Sequence, residues 1–228
     1  MNTFILIGLA LAPVAVIGTF IWLKDHYDRE PLKHVFISFV LGILCAIPAV
    51  LLSLGLGMLI PVDYGNLFSV AVFALVVVAF SEEFSKYLIL RYYAFRQKEF
   101  DEPFDGIVYG TIISLGFAAI ENVLYVAEGG MSVAFLRMFS AVPAHASFGI
   151  IMGYYMGMAW KYKNRAREYK LKGLFAAIFL HGFYNFFLMQ QAYPAFWIFS
   201  FIGLAISIWL CFKAFKAHNR RSPFKSDI

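Results

Sequence analysis

An all-α bundle of about seven transmembrane helices, with its N-terminus outside and its C-terminus cytoplasmic, is predicted by three features of this chain. Of its 228 residues 61% are hydrophobic and 14% charged, against about 45–50% and 25% in soluble domains, so lipid must solvate much of the surface. Seven segments reach the roughly 20 mainly apolar residues that a membrane-crossing helix needs. Lys and Arg fill every second loop and are missing from the others, the alternation expected when basic loops stay cytoplasmic.

The spans follow in order. The first covers about 2–23; Met1-Asn2-Thr3 has no basic n-region and no clear cleavage site follows, so a retained helix is expected rather than a signal peptide. Loop 24–34 carries Lys24, Arg29 and Lys33, and the second span covers about 35–60. Residues 61–66 hold no basic residue; span three covers about 67–90, and loop 91–104 then supplies Arg91, Arg96 and Lys98. Spans four and five, about 106–127 and 132–160, flank a 128–131 turn without Lys or Arg. Six basic residues fill 161–172; spans six and seven cover about 172–190 and 194–215, and five more lie from Lys213 onward. The tail 216–228 is expected to fray. With short loops and no repeat, one integral membrane domain, 1–228, is the economical reading.

The net charge of +5 does not point to nucleic acid, because the basic residues sit in short loops where they meet anionic lipid headgroups. Cys45 and Cys211 lie inside apolar spans without metal spacing and read as packing residues. Arg137, near the outer end of span five, is expected to snorkel to the surface.

The informative residues are those that lipid should exclude: Glu82 and Glu83 with Lys86 in span three, Glu121-Asn122 with Tyr125 in span four, His145 in span five, and His181 with Asn185 in span six. Three glutamates in the membrane cost on the order of 8–10 kcal/mol unless paired or neutralised. Intramembrane ionisable groups are by default a functional-site hypothesis. His181 and Asn185 stand four apart on one helix face, as do Glu82 and Lys86, and Glu121 and Tyr125. Gly149, Gly153 and Gly157 follow His145 at intervals of four, a stripe that admits a close neighbour and points His145 into the bundle. Gly106, Gly110 and Ser114 form a matching stripe near the Glu121 face. By rise per residue, Glu82 and His181 lie about 13 Å from the cytoplasmic boundary and Glu121 and His145 about 24 Å, a gap that helix tilt can close. Blander readings coexist: Glu82 pairing Lys86 near the headgroups, or Glu121-Asn122 as interhelical hydrogen-bonding glue.

At these residues the chain resembles the PrsW family of bacterial intramembrane proteases. The match runs from Lys24-Asp25-His26-Tyr27-Asp28-Arg29-Glu30-Pro31, an acidic EP segment, through Glu82-Glu83 with Lys86, Glu121-Asn122 with Tyr125 and Pro143-Ala144-His145, to His181-x-x-x-Asn185. That family is similar in turn to the type II CAAX prenyl endopeptidases and bacteriocin-processing proteins. Here Tyr87 stands where their EExxxR motif has arginine, and Ala141 where FxxxH has phenylalanine. The resemblance implies a multi-pass protein of the bacterial cytoplasmic membrane and a peptidase site made of Glu82, Glu83, Glu121, His145, His181 and Asn185. It also implies site-1 cleavage of a single-span anti-sigma factor in a stress response. Two chemistries stay open. In one, Glu82 or Glu83, with Glu83 preferred, activates water without a metal; in the other, His145, His181 and Glu83 or Glu121 hold Zn²⁺ while a second glutamate is the base. A proton-coupled transporter or receptor using the same buried groups is the alternative outside enzymology.

Overall fold

The computed structural model describes residues 3–25 and 27–224. Its order is α1 (Thr3–Lys24), α2 (Leu32–Leu44), α3 (Ala46–Leu59), α4 (Leu67–Val72), a π-helical turn (Phe73–Ala79), α5 (Phe80–Tyr92), α6 (Pro103–Phe139), α7 (Ala141–Lys161), α8 (Ala166–Met189) and α9 (Ile198–Asn219). Among the described residues there is no strand. The expected Asn2 end of span one and the tail residues 225–228 lie outside the described residues.

Six helical stretches are long and apolar enough to cross a membrane. The longest, Pro103–Lys161, has 59 residues and would extend about 88 Å if straight, far beyond a hydrocarbon layer of roughly 30 Å. It folds back instead. Gly130 takes φ 67° and ψ −151° inside α6, a left-handed conformation that costs glycine little, and Gly106 then faces Gly153 and Gly157 of α7. This hairpin makes the number of crossings about seven.

Proline explains two of the breaks. Pro48 and Pro143 are each the third residue of a new helix, three positions after Cys45 and Ser140. Proline cannot donate to the carbonyl four residues back and its ring crowds that group, so the preceding helix stops while a first turn tolerates it. The expected span 132–160 is therefore broken at Ser140, whose φ −123° and ψ −76° are not helical. The last span also departs from 194–215: Pro194–Trp197 is a 3₁₀ turn and α9 runs on to Asn219. The tail is ordered further than expected, because His218 is buried, stacks on Tyr154 at 4.4 Å between ring centroids, and lies 2.9 Å from the Tyr154 carbonyl oxygen.

The α6–α7 hairpin is the core: every residue from Pro103 to Ala119 is buried, as are Ala144 to Gly153, whereas α1 turns only a few residues inward, among them Ala10, Val14 and Ile21. Lipid tails give no hydrophobic drive between helices, so close packing has to hold the bundle. A β-carbon at Gly153 would sit 2.0 Å from the Gly106 carbonyl oxygen; the two glycine stripes meet backbone to backbone. Outer helices turn Phe36, Met58, Phe68 and Phe212 outward, as a lipid-solvated surface requires.

Candidate active site

The π-helical turn ahead of α5 sets the position of the two glutamates. One extra residue in a turn rotates everything after it by about 100°, and such turns gather at functional sites. Leu75 of this turn packs on Gly182 of α8, where a β-carbon would come within 2.4 Å of its Cδ2. That approach puts Glu83 beside His181.

Four helices meet at one cluster. The nearest donor atoms of Glu82, Glu83, His145 and His181 all lie within 4.8 Å of one another. His181 Nδ1 is 2.8 Å from Glu83 Oε1, and Asn185 Nδ2 is 3.1 Å from His181 Nε2. His145 Nε2 is 2.7 Å from Glu121 Oε2. Phe148 stacks on the His181 ring at 5.0 Å and fixes its plane. The sequence-predicted Glu82, Glu83, Glu121, His145, His181 and Asn185 are thus all brought together, and the depth difference expected between the two pairs closes.

Two further residues enter the cluster, Lys86 with more partners than expected and Arg137 from a place where the sequence put it at the surface. Lys86, expected as a partner of Glu82, donates to Glu83 Oε1 at 2.8 Å and to Glu82 Oε2 at 3.4 Å, and its Nζ is 3.2 Å from His145 Nδ1. The Phe117 ring covers this buried ammonium at 4.0 Å. Arg137 does not snorkel. It donates to Glu121 Oε2 at 2.9 Å and to Asn122 Oδ1 at 2.7 Å, and Asn122 in turn donates to the Ala10 carbonyl at 2.7 Å. Its direction is set by the chain reversal at Gly130, inside the expected 128–131 turn, which brings the far side of the turn back onto Glu121 and Asn122.

The cluster opens on a cavity of about 320 Å³ lined by Glu82, Glu121, Arg137, His145, His181 and Asn185. Glu83 is absent from that lining and 0% exposed. Its Oε2 has no hydrogen-bond partner among the described residues, which an acceptor in low dielectric tolerates poorly. Two imidazoles and two carboxylates form a donor set suited to Zn²⁺, and the fully buried Glu83 Oε2 beside them, without a hydrogen-bond partner among the described residues, fits a cation ligand. Glu121 and Asn185, bonded to the far nitrogens of the two rings, stand where partners that orient metal-binding histidines stand.

Comparison with known proteins adds the family. The model of the "PrsW family intramembrane metalloprotease" matches residues 30–211. This chain belongs to the PrsW family. Curated relatives named Protease PrsW include one from Geobacillus kaustophilus, 37% identical over 82% of this chain and 81% of its own length. Another, from Bacillus subtilis, is 34% identical over 96% of this chain and 97% of the relative. A third, from Clostridioides difficile, is 36% identical over 80% and 79%. No solved structure matches. As a PrsW-family member the protein is an intramembrane protease, a multi-pass protein of the bacterial cell membrane whose substrates are membrane-bound.

Proposed function

We propose that the protein hydrolyses a peptide bond in a single-span, membrane-anchored substrate of the anti-sigma-factor kind, using Zn²⁺ held by His145, His181 and Glu83. The observation that carries the metal is the gathering of four donor groups within 4.8 Å; the substrate class rests on the family resemblance alone. Bound there, Zn²⁺ would polarise the scissile carbonyl and acidify a water.

The chain's own residues divide the remaining work. Glu82 faces the cavity and Glu83 does not, so Glu82 takes the general base role, for which the metal-free reading of the sequence prefers Glu83. A base must reach the proton it removes, and Glu83, sealed behind Lys86 and His181, has no route to a substrate-side water. Glu121 and Asn185 hold the two rings, while Arg137 holds Glu121. Lys86 supplies a fixed positive charge that limits repulsion between the neighbouring carboxylates. The same ammonium favours a second reading, in which it alone offsets the carboxylates and no metal takes part.

The test is cleavage of a single-span anti-sigma-factor substrate by purified protein in vesicles, followed by immunoblot. Wild type cuts; Glu82→Gln and His181→Ala fall by at least about a hundredfold, the usual range for removing acid–base catalysis. Cleavage at the wild-type rate by both variants would remove this site from the reaction.

A further inference from the structure

The first and last spans end together at the face of the bundle that the basic loops mark as cytoplasmic. Ile21 of α1 and Cys211 and Ala214 of α9 join Phe104 of α6 in one apolar cluster, so both helices rest on α6. Between their last turns lies a cleft of about 400 Å³ whose walls include Phe20, Lys24, Phe212, Phe215, Lys216 and Arg220. Among the described residues no acid lines it. It shares no residue with the catalytic cavity.

The polarity of the cleft changes along its depth. Lys24 closes α1, Lys216 lies in the last turn of α9, and Arg220 caps that helix. Phe20 precedes Lys24 by four residues, and Phe212, Lys216 and Arg220 follow one another at the same interval, a rise of about 6 Å per step. The aromatic end therefore points into the membrane and the cationic end lies at its boundary. Lys24 Nζ stands 5.4 Å from the centre of the Phe20 ring. Phe20, Phe212 and the three cations are exposed. Among the described residues none of these cations forms an ion pair; the pairs found there involve other side chains. Lys216 and Arg220 share one helix face, where like charges four apart repel, and Lys24 adds a third. Cations at a helix C-terminus offset the macrodipole. That explains a cation at each helix end, but not three of them converging on one cleft with aromatic walls.

We propose that this cleft binds one anionic phospholipid, with its phosphate among Lys24, Lys216 and Arg220 and an acyl chain along Phe20 and Phe212. A ligand that is negative at one end and apolar at the other matches the cleft at both ends. The Arg220 guanidinium offers a planar fork suited to phosphate oxygens, and the two lysines add point charges. Basic loops attract every anionic headgroup near the surface; this site differs in holding one lipid by headgroup and chain together, between the first and last spans. None of its residues belongs to the catalytic proposal, so binding is measured apart from cleavage.

Native mass spectrometry of the full-length, delipidated protein in a non-ionic detergent tests it, with dioleoyl phosphatidylglycerol and dioleoyl phosphatidylcholine as titrated probes. Wild type takes up a single phosphatidylglycerol per chain in a saturable step, at least about tenfold tighter than phosphatidylcholine, because only the former carries net charge. Higher ammonium acetate weakens that step, as screening requires. Combining Lys24→Gln, Lys216→Gln and Arg220→Gln lowers phosphatidylglycerol affinity at least about tenfold, the loss expected from removing three attracting charges. Lys98→Gln, Lys163→Gln and Arg167→Gln together remove as many charges from other basic loops and leave the affinity unchanged. Glycerol 3-phosphate, which has the phosphate without acyl chains, does not compete at the lipid's concentration. Equal affinity of wild type for the two lipids overturns the proposal without any variant. So does equal phosphatidylglycerol binding by wild type and the cleft variant, an equal loss in the loop variant, or competition by glycerol 3-phosphate as strong as by the lipid.

Discussion

Glu82 and Glu83 are neighbours with different surroundings, and that difference makes a prediction at a single position. Glu83 is sealed against Lys86 and His181, whereas Glu82 borders the cavity. Glu83→Gln is expected to lose both bound metal and cleavage. Glu82→Gln should keep the metal while cleavage falls about 10²–10⁴-fold, with metal content and rate measured on the same preparation. Arg137→Ala leaves Glu121 without its guanidinium and should slow cleavage about 10–100-fold, the usual effect of losing a group that supports a ligand. Arg137→Lys restores only part, because one ammonium cannot reproduce the fork that reaches Glu121 and Asn122 together. The carboxylates and imidazoles of the candidate site could be picked out in the sequence because charge and imidazole stand out in apolar spans, and Asn185 through its spacing of four from His181. Arg137 could not, because it lies near a span end where long basic side chains usually reach water. Its partner is fifteen positions back, across a reversal that one glycine makes.

Span positions were legible at the scale of the helix because apolar length is a strong signal, and α1 to α8 lie close to where that signal puts them. The interruptions were harder to foresee. Pro48 and Pro143 break their spans, yet Pro13 stays inside an unbroken α1, so proline alone does not fix where a helix stops. The π-helical turn over Phe73–Ala79 consists of ordinary apolar residues and becomes understandable only through the fit of Leu75 on Gly182. The glycine stripes were visible and meet as their spacing implied. Gly153→Ala would push a β-carbon against the Gly106 carbonyl oxygen. The expected cost is about 1–3 kcal/mol, typical of overpacking, seen as a lower thermal midpoint. Cleavage should fall too, because His145 rides on the same face of α7.

Two polar centres divide the molecule, a nitrogen-and-oxygen cluster deep in the bundle and the buried acids Asp25 and Glu30 at the loop end. The second gives the protein a pH dependence. Burial pushes Asp25 up to about 7 and Glu30 up to about 8, so the folded chain holds protons that the unfolded chain releases. Their contribution is complete below the ordinary carboxylate range near pH 4 and is lost as pH rises through 7 to 8. In chelator-treated protein the thermal midpoint should therefore fall between pH 5 and 8.5, by about 2–4 °C for each kcal/mol lost. A midpoint that stays level or rises over this window would contradict buried, proton-holding acids.

The central claim, that a carboxylate and two imidazoles from three helices hold a catalytic metal, is tested most directly by metal analysis coupled to cleavage on one purified sample. The account predicts roughly one zinc per chain, loss of cleavage when a chelator removes it, and recovery with Zn²⁺ but not with Ca²⁺. Full cleavage by a preparation shown to be free of transition metal would contradict it.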